Sequence, residues 1–298
     1  MAPPISSRGL TWQDREDLAR LAMARAVHTR FEAGFEHDNP VPAWVLAERL
    51  GVPVRFVDID FEGMYRREPS PRIVVSVQRP LARRNYTCGH ELGHHIFGHG
   101  ASLEALNDRA ADGDRENPDE VLANSFAAHL LMPVLGIRAA FARRGTSPHI
   151  ATPETFLAVA TEYGVGFETL INQVTYAFKE LTERGRNDLL GGYQALRQAL
   201  VPDNQLGPIA LVDRHTRTPT LDIEVGHLVI APADASPDDP ALTLISATND
   251  GRVYQATHRS ALEISDTRKN WCVTIRIAPK NFVGLARYRF LADDTDDD

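Results

Sequence analysis

An α+β architecture is what this 298-residue sequence predicts, and three observations predict it. Helix and strand patterns mix over the first hundred residues, helical patterns dominate from about 84 to 200, and short β-prone runs take over beyond Gly207. At 43% apolar and 24% charged, the composition is that of a globular chain long enough for two or three units with ordinary cores. No run of eighteen apolar residues occurs, and Met1–Val27 is broken by Arg, Asp and Glu, so neither a membrane span nor a signal peptide is read. Cys88 and Cys272 are too few for a disulfide framework, and the expectation is a cytoplasmic protein. The formal charge is −8, but five Asp sit in 293–298, leaving −3 for the rest. That near-neutral body carries no basic stripe of the kind a nucleic-acid binder shows, and 293–298 reads as a disordered acidic tail.

Along the chain, Thr11 is the expected N-cap of a helix to about Phe31, with Leu18, Leu21, Ala22 and Ala26 on its inner face. After the loop 37–42, Ala43–Leu50 reads as a short helix ended by Gly51, and Val52–Ile59 and Arg72–Val77 as strands. The second strand shortly precedes the next helix, an order that suggests an edge strand able to pair with an extended substrate. Its nearly continuous apolar run Ile73–Val77 leaves an interior position as the alternative. The Asp-rich stretch 108–119 reads as an exposed loop. Pro153–Phe178, with Ala160 and Gly164 at a turn, resembles a helix-turn-helix, yet it offers only Asn172 and Gln173 and no basic residue before Lys179. A structural helix pair or a docking surface is therefore favoured over direct DNA binding. β-prone runs at Ile209–Val212, Leu221–Val225, His227–Ile230, Leu242–Ser246, Val253–Thr257, Cys272–Ile277 and Val283–Phe290 read as a small all-β domain of sandwich or barrel type. The expected units are 1–145, a helical extension 146–203, the β-rich 204–292 and the tail 293–298.

The stretch Arg83–His99 contains His90-Glu91-Leu92-Gly93-His94. On a helix, residues four apart lie one above the other, so His90 and His94 can present imidazole nitrogens to one divalent metal while Glu91 sits one position round. That places a carboxylate where a general base is needed for attack of water on a carbonyl that the metal polarises. A third ligand is sought on the helical run Glu120–Pro133, where Glu120, Asn124, Ala127 and Leu131 share a face. A carboxylate on an inward stripe needs a partner, and a metal supplies one. Asn124, one turn on, is positioned to bond a histidine of the first helix and set its tautomer. The competing reading of Glu120 is a capping box with Asn117 as N-cap and Pro118 at the first helical position. Tyr86 and Arg84 are candidates to stabilise the oxyanion on the cut carbonyl, with packing or capping as the alternative. His95, His99 and His129 read as surface or partly exposed side chains, His99 lying about 140° round from His94 if the helix continues past Gly98.

These residues resemble the ImmA/IrrE metallopeptidases: an Arg-Phe-Thr-like lead at Arg84–Thr87, His-Glu-Leu-Gly-His at His90–His94, then Glu-x-x-Ala-Asn-x-Phe-Ala-x-x-Leu-Leu-Met-Pro at Glu120–Pro133. The resemblance extends over roughly 12–180. It implies a zincin-like metallopeptidase domain, a metal on His90, His94 and Glu120 with Glu91 catalytic, and a protein substrate, a helix-turn-helix repressor of the Xre type. Zinc and manganese both suit two imidazoles and a carboxylate. Two departures stand out. The family has Ala before the first metal histidine where this chain has Gly89. Its radiation-response members carry a GAF-like sensor after the peptidase, whereas the β-rich region here lacks long helices, and a sensing or partner-docking role is expected of it. The rival reading is a regulatory module that uses the peptidase fold to bind a partner without hydrolysis.

Overall fold

The computed structural model describes residues 10–36, 38–100, 102–104, 117–201, 205–248, 251–268 and 270–291. Most of the Asp-rich loop and the acidic tail therefore lie outside the described residues. Helix α1 (Trp12–Glu32) opens with Thr11 and Asp14 in a reciprocal capping box, so both of their backbone N–H groups have acceptors. Its buried face is Ala22, Ala26, Thr29 and Arg30; Leu21, expected inside, is 53% exposed. Small alanines let α1 lie close along α4 (Pro118–Leu131), and the buried Arg30 guanidinium donates to the Leu130 carbonyl at 2.7 Å, a cation against a helix C-terminus. Burial pushes that guanidinium down to about 10.

Helix α2 (Ala43–Arg49) ends at Gly51, whose φ of +76° favours glycine. A five-stranded sheet follows, built from β1 (Val54–Val57), β2 (Gly63–Arg66), β3 (Arg72–Ser76), β4 (Ser102–Glu104) and, from far along the chain, β13 (Gly284–Leu285), in the order β13-β1-β3-β2-β4. β1 and β3 are parallel and the remaining pairs antiparallel. The edge-strand expectation for Arg72–Val77 is thus corrected. β3 lies between β1 and β2, and its nearly continuous apolar run fits that interior position. β4 is the outer strand beyond β2.

Helix α3 (Leu81–Phe97) crosses this sheet and packs on α4. The segment Pro118–Arg143 is apolar enough by composition to cross a membrane, with mean hydropathy 1.4. It consists of α4 and α5 (Val134–Arg143) broken at Met132 and Pro133, and 67% of its most apolar window is buried, as in a core helix. In α6 (Pro153–Glu162), Gly164 (φ +61°) and α7 (Phe167–Asn172), the residues that would have read DNA are already engaged. Gln173 bonds the buried His129, and Asn172 accepts from Arg186 on α8 (Glu183–Leu200). His129, read as partly exposed, is 8% exposed because α4 turns it toward that segment and Phe178.

Beyond Gly207 come β5 (Ile209–Leu211), β6 (Leu221–Glu224), β7 (Leu228–Ala231), β8 (Ala235–Pro237), β9 (Leu242–Ala247), β10 (Arg252–Ala256), β11 (Ser260–Asp266) and β12 (Cys272–Ala278). They form two four-stranded sheets, β5-β7-β10-β9 and β6-β12-β11-β8, sharing a core of Ile223, Val229, Tyr254, Ile264, Val273 and Ile275 among others. β7 is buried at all four residues because its second face meets Leu157 and Ala158 of α6. The run Val283–Phe290, expected as a strand of this module, is corrected: only Gly284–Leu285 is extended, a 3-10 turn follows at Ala286–Tyr288, and the strand pairs with β1 of the first sheet. The β-rich region is therefore not a separate all-β unit to residue 292.

Candidate metal centre

Helix α3 begins after Pro80 and ends at Gly98 (φ +72°), with His90, Glu91 and His94 all 2% exposed or less. Helix α4 begins at Asn117, whose side chain accepts from the Asp119 N–H at 3.0 Å. Asn117 does cap, but Glu120 does not complete a capping box; its carboxylate turns to the histidines instead. The crossing is tight because α3 presents Gly89 and Gly93 to Ala127 and Ala123 of α4. A Cβ at Gly93 would stand 3.0 Å from the Ala123 Cα, and one at Gly89 3.3 Å from the Ala127 Cβ. Glycine at 63 serves the same end on the other side, since a Cβ there would collide with Thr87 and press on Glu91.

The Nε2 atoms of His90 and His94 lie 2.9 Å apart, and Glu120 oxygens lie 3.2 Å and 3.5 Å from them. The edges of a tetrahedron of ligands at about 2.0–2.1 Å from zinc are about 3.3–3.4 Å, so the donor set has the right span for one ion. Two imidazole lone pairs facing each other need a cation between them, and burial with the neighbouring His90 pushes His94 down to about 4, which disfavours a proton there. The His90 hydrogen bond holds the Glu120 carboxyl below its usual range. The residues therefore fit a divalent metal, with two neutral imidazoles and one carboxylate. Asn124 Oδ1 lies 3.1 Å from His90 Nδ1, where it accepts the Nδ1–H hydrogen bond and leaves Nε2 free to ligate.

The two oxyanion candidates have other partners. Tyr86 donates to the Asn124 carbonyl at 3.1 Å. Arg84 forms a two-pronged pair with Glu224 of β6, with Nη1 to Oε1 at 2.8 Å, both residues buried. Three features lay beyond the sequence reading. His99, expected on the surface, touches His94; Asp119 touches His99; and His95, also read as a surface side chain, meets the buried Tyr65 hydroxyl at 2.9 Å. A Tyr-rich or His-rich composition gives no hint of such pairings, whereas Gly98 was a signal that the helix stops.

Helix α3 and the helix α4 packed on it thus bring a histidine pair and a glutamate close enough together to hold one metal ion. Residues 47–175 match the model of the IrrE N-terminal-like domain, the peptidase M78 family. A solved structure described as a Mycobacterium tuberculosis transcriptional regulator aligns at 19% identity with a TM-score of 0.34, over 54% of this chain. The chain spans 46% of that relative's length. Comparison with curated proteins gives no match.

Proposed function

We propose that the chain is a metal-dependent endopeptidase of restricted specificity that cuts a protein regulator, a helix-turn-helix repressor of the Xre type. The observation that carries the hydrolytic reading is the buried Glu91 next to a three-residue donor set, since structural zinc sites normally close with four protein ligands. His90, His94 and Glu120 would hold the ion, zinc or manganese. Bound there, the metal supplies Lewis acidity, lowering the pKa of water and polarising the scissile carbonyl. Glu91 takes the proton from the attacking water and delivers it to the leaving amine nitrogen. Asn124 keeps His90 in the ligating tautomer, and Gly63 and Thr87 hold the Glu91 stem against β2. Because His90, Glu91 and His94 are almost wholly buried, an arbitrary surface loop does not reach them, which favours one fitted substrate over bulk protein.

Glu91→Gln preserves volume but cannot accept a proton. With metal content held equal, repressor cleavage is expected to fall by about 10²–10⁴ or more. Cleavage at the wild-type rate by the metal-loaded variant would remove Glu91 from the mechanism. A metal-loaded wild type that binds the repressor without cutting it would instead favour a non-hydrolytic sensor.

A further inference from the structure

We propose that His99 and Asp119 are positioning residues for His94, forming a hydrogen-bonded relay behind the metal ligand. This rests on reading His90, His94 and Glu120 as a metal site. The relay exists because Gly98, in the left-handed region, stops α3 and reverses the chain, and the His99 N–H closes on the His94 carbonyl at 3.0 Å. The His99 ring then lies on Phe97 and edge-on to His94, its centroid 5.7 Å and 5.1 Å from theirs. His99 Nδ1 sits 2.9 Å from His94 Nδ1, and His99 Nε2 sits 3.3 Å from Asp119 Oδ1. A carboxylate can only accept, so His99 donates through Nε2–H to Asp119. Its Nδ1 is then the acceptor for His94 Nδ1–H. One protonation pattern satisfies all three groups, and it leaves the His94 Nε2 lone pair pointing at His90 and Glu120. His90 obtains the same service from Asn124, so each ligand histidine has an acceptor behind it.

The chain also ties the two metal helices together. Asp119 precedes Glu120 in the first turn of α4, so the residue that anchors the relay and the third ligand move as one. Without the acceptor at His99, the buried His94 Nδ1–H is left unmade, and the other tautomer, protonated on Nε2, competes with metal.

The test is zinc affinity of the full chain, measured by competition with a chromophoric chelator. His99→Phe keeps the ring on Phe97 and removes the acceptor, and it is expected to weaken zinc by about 10–100-fold. His99→Asn places an amide oxygen near the lost Nδ1 and is expected to stay within about threefold of wild type. Asp119→Ala, half-exposed and one bond further out, is expected to cost about 3–10-fold, and it decides the matter if His99→Phe does not fold. Wild-type affinity in His99→Phe, or in Asp119→Ala where that variant decides, would overturn the relay. So would His99→Asn as weak as His99→Phe. A wild-type chain that takes up no zinc would instead overturn the metal-centre reading itself.

Discussion

His94, His129 and His227 each sit where burial pushes the imidazole down to about 4, and the consequence is a stability that depends on acid. In the unfolded chain these side chains take up a proton near pH 6.5, while in the folded chain they stay neutral to about 4. Between those values the unfolded state binds more protons, so stability falls as pH drops through about 6.5 toward 4 and is unaffected by these groups above it. The melting temperature of the metal-free protein is expected to drop between pH 7.5 and pH 5. His129→Gln, far from the metal site and beside Gln173, should flatten that slope; an unchanged slope would show that His129 does not contribute. Protons and zinc compete for His94 in the folded chain only as pH approaches about 4, so zinc affinity is expected to weaken there, below the range in which stability begins to fall. At this scale the sequence was informative where geometry is local: His90, Glu91, His94, Glu120 and Asn124 follow from one-turn spacings on two helices. His99 was not legible, because carrying the helical angle through Gly98 sends it about 140° away from His94.

Helices α3 and α4 meet along glycine and alanine, and the closeness of that crossing is what brings Glu120 to the histidines. Gly93→Ala improves helix propensity by about 1 kcal/mol. It also sets a methyl 3.0 Å from the Ala123 backbone, which cannot swing aside. The expected net is a loss of about 1–3 kcal/mol, with weaker zinc binding because α4 shifts and carries Glu120 with it. Gly89→Ala comes nearest the Ala127 methyl, at 3.3 Å, with the Ala127 Cα and Ala43 Cβ at 3.5 Å and 3.7 Å, and its stability should stay within about 1 kcal/mol of wild type. Thermal melts of the two metal-free variants check the contrast; equal stability of Gly93→Ala and wild type would mean the crossing has room. The departure of Gly89 from the family pattern is thus a matter of packing more than of helix propensity. Among the strands, β1, β3 and β7 announced themselves by apolar runs. β2, β4, β8 and β11 did not, being short, glycine-led or carrying inward polar residues such as Asp266.

The β-rich region is locked to the rest of the fold by several contacts. β13 pairs with β1, the outer face of the β5-β7-β10-β9 sheet packs on α6, and Arg84 on the metal helix pairs with Glu224. Arg289, 2% exposed, lies over the Trp44 ring at 4.4 Å and 3.1 Å from Asp222. Removing one member of a buried pair strands the other charge, so Glu224→Ala is expected to cost about 3–5 kcal/mol. The double variant Arg84→Met with Glu224→Leu should recover most of that loss, and a double variant as unstable as the sum of the singles would show that the two do not couple. A chain ending at Asp203 is expected not to fold into a zinc-binding unit; circular dichroism and metal titration of that fragment check it. A signal received by the β-rich region would therefore reach the site through Arg84 and the shared sheet, not by detachment. None of this was legible, since the partners of β1 and Arg84 lie well over a hundred residues away and periodicity speaks only for neighbours.

The return of β13 to the first sheet also orders events in time. Translation at about 5–20 residues per second separates the appearance of residue 91 from that of residue 285 by roughly ten to forty seconds. Throughout that interval β1 has an open edge and Arg84 lacks Glu224. The packing around helix α3 is therefore expected to be complete only once β6 and β13 have been made. A nascent chain that stops short of β13 leaves the β1 edge unpaired, and one that stops short of β6 also leaves Arg84 without its carboxylate.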